Sequence, residues 1–120
     1  AIAALDSPLT ATMSMKAAFQ KRRDLVYELI KEIPGFITNK PAGAFYFFPD
    51  VTYYFGKKHA GGTINNAEDL CMYLLTEANV AVVSGDSFGS PNNIRFSYAT
   101  TEENLRIAMQ RIKVELAKLV

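Results

Sequence analysis

Ile94-Arg95-Phe96-Ser97-Tyr98-Ala99 alternates large apolar side chains with small or charged ones, without a break. Successive side chains of a strand point to opposite faces, so Ile94, Phe96 and Tyr98 share one face and Arg95, Ser97 and Ala99 the other. The apolar face calls for helices packed against it. The other face meets water or something outside this chain. Arg95 is the most informative charge in the sequence. An arginine inside a strand needs a partner, ordinarily in an exposed salt bridge, but here Ser97 and Ala99 keep its face small and a glycine-rich loop lies just upstream. Room is left for a carboxylate or phosphate, which a guanidinium grips in a two-pronged fork.

The elements on either side complete the pattern. Upstream, Val80-Ala-Val-Val83 reads as a short apolar strand, and Ser84-Gly-Asp-Ser-Phe-Gly-Ser-Pro-Asn-Asn93 as a loop. Downstream, Thr100 and Glu103 form a capping box for a last helix with the stripe Leu105, Ala108, Ile112, Leu116 and Leu119. Asn66 caps another helix, with Asp69 at its third position, Leu70, Tyr73, Leu74 and Glu77 at helical spacing, and Asn79 closing it. Phe19, Val26, Ile30 and Ile33 mark one face of a long helix over Thr10–Ile33, stopped by Pro34-Gly35. Gly43-Ala-Phe-Tyr-Phe-Phe-Pro-Asp-Val51 is aromatic and short, and reads as a strand with two apolar faces, either central or pressed against a partner. Gly56–Thr63 reads as an exposed loop. The order α-β-α-β-β-α predicts an α+β domain: a small, mainly antiparallel sheet with helices on one face.

Composition bounds the function. The chain has 120 residues, one domain's worth, with 13 basic and 12 acidic side chains for a net charge of +1. That balance supplies no field to draw it onto nucleic acid or an anionic membrane. One cysteine, Cys71, and one histidine, His59, exclude an internal disulfide and a structural zinc site. No apolar run approaches the roughly 20 residues of a membrane span, and the N-terminus lacks a signal-peptide pattern. The chain starts at alanine, so it is expected to be processed or part of something longer.

Three local motifs suggest chemistry and fail on context. Gly85-Asp86-Ser87-Phe88-Gly89 matches the G-x-S-x-G nucleophile elbow, but no helix follows the serine and His59 precedes it. Gly56–Thr63 has the spacing of a phosphate-binding loop with glycine in place of the essential lysine. Ala42-Gly43-Ala44-Phe45 lacks the basic and aromatic residues of an RNA-binding strand. A further oddity is that seven of the fourteen Phe and Tyr residues lie between Phe45 and Phe55. They overfill one side of a small sheet, so part of the cluster is expected to cover a second protein surface.

Three segments together resemble a known family. Pro41-Ala-Gly-Ala-Phe-Tyr-Phe-Phe-Pro49, Val80-Ala-Val-Val-Ser-Gly-Asp-Ser-Phe-Gly89 and Ile94-Arg-Phe-Ser-Tyr-Ala99 look like the C-terminal small domain of class I aminotransferases. These are fold-type I pyridoxal-phosphate enzymes, and the order and spacing are most similar to the aspartate aminotransferase branch. Ala1-Ile-Ala-Ala-Leu5 and Phe19-Gln-Lys-Arg-Arg-Asp24 resemble the segment leading into that domain, so the likeness covers essentially the whole chain.

The resemblance implies that Arg95 binds the α-carboxylate of the amino-acid substrate and that Phe88 and Gly89 lie in a loop approaching the active site. Where the family more often carries Pro-Gly, this chain has Ser84-Gly85. The Schiff-base lysine belongs to a serine-rich segment of the large domain, and none of the eight lysines here has that context. Ser14-Met15-Lys16 matches it only superficially. The aspartate that pairs with the pyridine nitrogen is also absent.

Residues 1–120 are therefore expected to be a small, lid-forming domain without its large partner domain. No residue here is expected to be catalytic, no metal to bind, and pyridoxal phosphate not to bind the fragment tightly. The parent is expected to be a cytoplasmic homodimer moving an amino group between aspartate or a similar amino acid and a 2-oxo acid. Aromatic, alanine and prephenate-type substrates stay open, as does a free-standing interaction or regulatory domain of the same fold.

Overall fold

The computed structural model describes residues 2–120. Helix α1 (Ile2–Asp6) leads into the long α2 (Thr10–Lys31). Strand β1 (Tyr46–Phe47) follows, then a 3-10 turn over Thr52–Tyr54 and a hairpin of β2 (Lys58–His59) and β3 (Gly62–Thr63). Next come α3 (Ala67–Glu77), β4 (Val83–Ser84), a second 3-10 turn over Gly85–Phe88, β5 (Ile94–Ser97) and α4 (Glu102–Leu116). The main sheet runs β1-β5-β4, and both pairings are antiparallel.

The alternation in β5 sorts its side chains as the sequence predicts. Ile94, Phe96 and Tyr98 are buried; Ser97 and Ala99 are exposed and Arg95 is half-buried. The buried face meets Val26, Ile30 and Ile33 from the α2 region, Leu70 and Leu74 of α3, and Leu105, Ile112 and Leu116 of α4 in one core. Met109 belongs to this core as well, a position that the stripe read from sequence omits in favour of half-buried Ala108. All helices that share the core thus lie on one side of β5, and Arg95 faces the other.

Helix α2 enters the core only with its C-terminal half. Residues 10–17 are exposed, Phe19 is half-buried, and Val26 and Ile30 are fully enclosed. At about 1.5 Å per residue its 22 residues span roughly 33 Å, and the molecule measures 55 × 28 × 23 Å. The helix stops two residues earlier than its apolar spacing suggests. Pro34 follows, and Gly35 takes φ +84°, where a side chain would overlap the Tyr53 ring.

Several elements are shorter or shifted relative to the sequence reading. The aromatic strand shrinks to Tyr46–Phe47 and lies at the sheet edge, with β5 central. Left-handed Ala44 (φ +59°) bounds it on one side and Pro49, which has no N–H, on the other. Val80–Val83 contributes only its last residue to β4, which runs on to Ser84. The Gly56–Thr63 loop contains the β2–β3 hairpin. Asn66 caps α3 by accepting from the Asp69 N–H at 2.8 Å, and Asn79 (φ +53°) turns the chain out of that helix. The cap of α4 is Thr101, not Thr100: its hydroxyl accepts from the Asn104 N–H at 3.2 Å, while Thr100 accepts from the Asn104 side chain.

Candidate functional site

Arg95 occupies the middle of the sheet's open face, on the central strand. Its neighbours follow from strand register. Tyr46 pairs with Ser97 and Val83 with Arg95, so Tyr46 is a diagonal same-face neighbour of Arg95. The guanidinium carbon lies 4.7 Å from the Tyr46 ring centroid. Phe48, two residues further on, keeps to the same face. Its ring meets Tyr46 edge-on, with centroids 6.5 Å apart and planes at 80°.

The third ring arrives from the loop after β4. The Ser84 hydroxyl accepts from the Asp86 N–H and donates to the Asp86 carboxylate at 2.9 Å, capping the 3-10 turn Gly85–Phe88. Gly85 donates to the Asn93 carbonyl at 2.7 Å and accepts from the Ser90 N–H at 3.0 Å. A Cβ at Gly85 would overlap the Ser90 and Asn93 carbonyl oxygens, so only glycine fits. Gly89 then takes φ +75° and bends the chain back. Phe88 is thereby set over Arg95, 5.1 Å from ring centroid to guanidinium carbon. The Phe88 ring also meets Phe48 edge-on at 6.2 Å.

Tyr46, Phe48, Phe88 and Arg95 line a cavity of about 330 Å³. No lysine and no carboxylate is among them. The slot fits an anionic group at the guanidinium and does not fit pyridoxal phosphate, whose aldehyde needs an amine. Among the described residues, no hydrogen bond or ion pair occupies the Arg95 side chain. Asp24 bonds Lys40 and Arg23, each at 2.9 Å, and these two cations hold its carboxyl below the ordinary range. Arg106 and Arg111 are exposed on α4, open to solvent and without aromatic walls. Arg95 combines partial burial, aromatic walls and free donors.

The structure brings together Arg95 and Phe88 from the residues singled out by sequence. Gly89 sits outside the slot and acts through the turn. Tyr46 and Phe48 are the additions. Their signal was the overfull aromatic cluster, whose members disperse. Phe47 and Tyr54 enter the core, Phe45 packs on Phe19, and Tyr46 and Phe48 flank Arg95. The serine-nucleophile reading has no support in the geometry. Ser87 lies exposed within a 3-10 turn, and His59 packs on Tyr73 at 4.7 Å with its Nδ1 accepting from the Gly61 N–H.

Among the described residues, no group of three or more His, Cys, Asp or Glu side chains is placed to hold a metal ion, and no helix is long and apolar enough to cross a membrane.

The family described as aminotransferase class I and II matches residues 1–112. A bifunctional aspartate aminotransferase and glutamate/aspartate-prephenate aminotransferase of Petunia hybrida is 44% identical over 107 residues, covering 88% of this chain and 22% of that protein. An aspartate/prephenate aminotransferase of Cereibacter sphaeroides is 43% identical over 120 residues, covering 99% of this chain and 30% of that protein. The crystal structure of an aspartate aminotransferase from Rhizobium meliloti superposes with a TM-score of 0.92 at 38% identity, over 99% of this chain and 30% of that one. The chain thus spans less than a third of the length of each.

Proposed function

Because this chain belongs to the class I and II aminotransferases, we propose that it is the small, lid-forming domain that binds the substrate carboxylate in a longer enzyme. That enzyme would move an amino group between aspartate, or a similar amino acid, and a 2-oxo acid. The family depends on pyridoxal phosphate, which when bound supplies the electron sink for the transfer. This chain's part is to bind and orient. The observation that carries the reading is half-buried Arg95, unpaired among the described residues, beside three rings on the open face of the sheet.

A carboxylate docked on the guanidinium edge accepts two parallel N–H bonds, which fixes its plane as well as its position. Orientation of the substrate's α-carbon toward groups supplied elsewhere follows from that plane. The aromatic walls shield one side of the pair from bulk water and so strengthen it. Closure of the small domain over the substrate would complete the site, as lids do. A large domain of the same enzyme is the proposed partner, with a homodimeric parent and a cytoplasmic location as parts of the same reading. Alone, the 120-residue chain is expected to transfer no amino group and to bind no pyridoxal phosphate tightly.

The test is Arg95→Lys in the full-length enzyme that carries this chain. Lysine keeps the charge and loses the fork. KM for the amino acid should rise about tenfold or more, the scale of a charge-assisted hydrogen bond. An unchanged kcat/KM would refute the assignment. For the isolated chain, titration with pyridoxal phosphate should leave no stoichiometric Schiff-base absorbance band.

A further inference from the structure

Among the described residues, Arg95 spends none of its N–H groups on protein acceptors, and two aromatic rings flank its guanidinium. We propose that Tyr46 and Phe88 are positioning residues. They hold the Arg95 guanidinium by cation–π contact, so that its donors stay free for the substrate carboxylate. The proposal rests on the reading of Arg95 as the carboxylate-binding group and concerns what orients it.

The two rings come from separate elements, at 4.7 Å and 5.1 Å from the guanidinium carbon. Both distances fall inside the range in which an aromatic face attracts a cation. An arginine side chain has several rotatable bonds and loses considerable freedom when fixed. A carboxylate partner in the protein would fix it too, but would have to be displaced by the substrate. Rings hold the guanidinium without competing for its donors, so its orientation is prepared before the substrate arrives.

The rings are themselves braced. Phe48 stands edge-on to both, at 6.5 Å from Tyr46 and 6.2 Å from Phe88. Side-chain bonds tie the two elements to each other. The Asn93 side-chain amide donates to the Phe48 carbonyl at 2.8 Å, and the Ser90 hydroxyl donates to the Asn93 side-chain oxygen at 2.6 Å. The loop bearing Phe88 and the segment bearing Phe48 are therefore linked through Asn93. Neither Tyr46 nor Phe88 is part of the sealed core, so either ring can be changed with the fold intact.

The experiment measures binding of succinate, a non-reacting dicarboxylate, to the full-length enzyme by calorimetry. Tyr46→Leu and Phe88→Leu should each weaken binding about three- to tenfold, the scale of one partly desolvated cation–π contact. Tyr46→Phe and Phe88→Tyr, which keep an aromatic face, should bind like the parent. In an Arg95→Lys background the leucine changes should lose most of their effect, since the group they orient is gone. In turnover they should raise KM more than they lower kcat.

If the leucine variants bind succinate as the parent does, or weaken it equally in the Arg95→Lys background, the positioning role is overturned. The carboxylate assignment would survive, provided Arg95→Lys alone weakens binding. If Arg95→Lys leaves binding unchanged, the carboxylate assignment falls and the positioning role falls with it.

Discussion

The Tyr98 hydroxyl donates to the Ala44 carbonyl at 2.9 Å, closing a gap of 54 positions in the chain. The Tyr98 N–H donates to the neighbouring Phe45 carbonyl at 2.8 Å. The end of the central strand thus pins the turn from which the aromatic segment starts. Ala44 holds a left-handed conformation there, with φ +59°. Tyr98→Phe keeps the buried ring and removes one bond, so urea unfolding should show a loss of about 1 kcal/mol. Ala44→Gly should offset a similar amount of backbone strain and raise the unfolding midpoint.

Gly85→Ala should be among the costliest single-methyl additions in this chain. Its Cβ runs into backbone oxygens of Ser90 and Asn93, which cannot swing aside as a flexible side chain would. A loss of more than about 2 kcal/mol is expected. The turn carries Phe88, so succinate affinity of the full-length enzyme should fall as well. A variant with parental stability and affinity would show that the loop relaxes freely.

High pH should unfold the chain through two buried groups. Burial pushes the Cys71 thiol from 9.0 up to about 12, and the Tyr54 hydroxyl from 10.0 up to about 12. Both are neutral when protonated. The folded state keeps these protons while the unfolded state releases them from about pH 9 upward for the thiol and from about pH 10 for the phenol. Their contribution to stability is whole below those values and drains away as pH climbs toward 12. Cys71→Ala should flatten the fall in Tm between pH 9 and 11, after allowing for its lower value at neutral pH.

The cap of α4 separates two adjacent threonines. Thr101→Ala removes the acceptor for the Asn104 N–H and should cost about 1 kcal/mol. Thr100→Ala removes only an exposed side-chain contact and should cost much less. Equal losses on denaturant unfolding would place the cap wrongly.

The parts of the fold legible in sequence were those written as periodicity. Ile94, Phe96 and Tyr98 declared their face by alternation, and Val26, Ile30, Leu70, Leu74, Ile112 and Leu116 by helical spacing. Arg95 stood out as a charge inside a strand whose same-face positions Ser97 and Ala99 are small, and its half-buried place on the open face agrees with that pattern. What composition could not divide was the aromatic cluster. Phe47 and Phe48 differ by one position in sequence and by an entire face of the sheet in space, and the register that separates them is set by Ser97 and Phe96 far away in sequence. The hairpin was hidden for a related reason. Two-residue strands carry too little pattern, and the Lys58 backbone pairs with that of Val120 at the far end of the chain. The Thr100–Thr101 ambiguity is local: either hydroxyl reaches Asn104, and only the backbone turn chooses between them.

The sheet order bears on how this polypeptide is made. Strands β1 and β4 are hydrogen-bonded to β5 and not to each other, yet β5 is the last of the three to be synthesised. Until Ser97 has left the ribosome, both earlier strands present edges with no partner. Unpaired edges are where chains find one another by mistake. A product truncated just before Ile94 would keep α2 and α3 but lose the strand that joins the sheet together with α4, which packs on it. Its fate should be aggregation rather than a smaller folded domain, and the arginine proposed to hold the substrate would be missing from it.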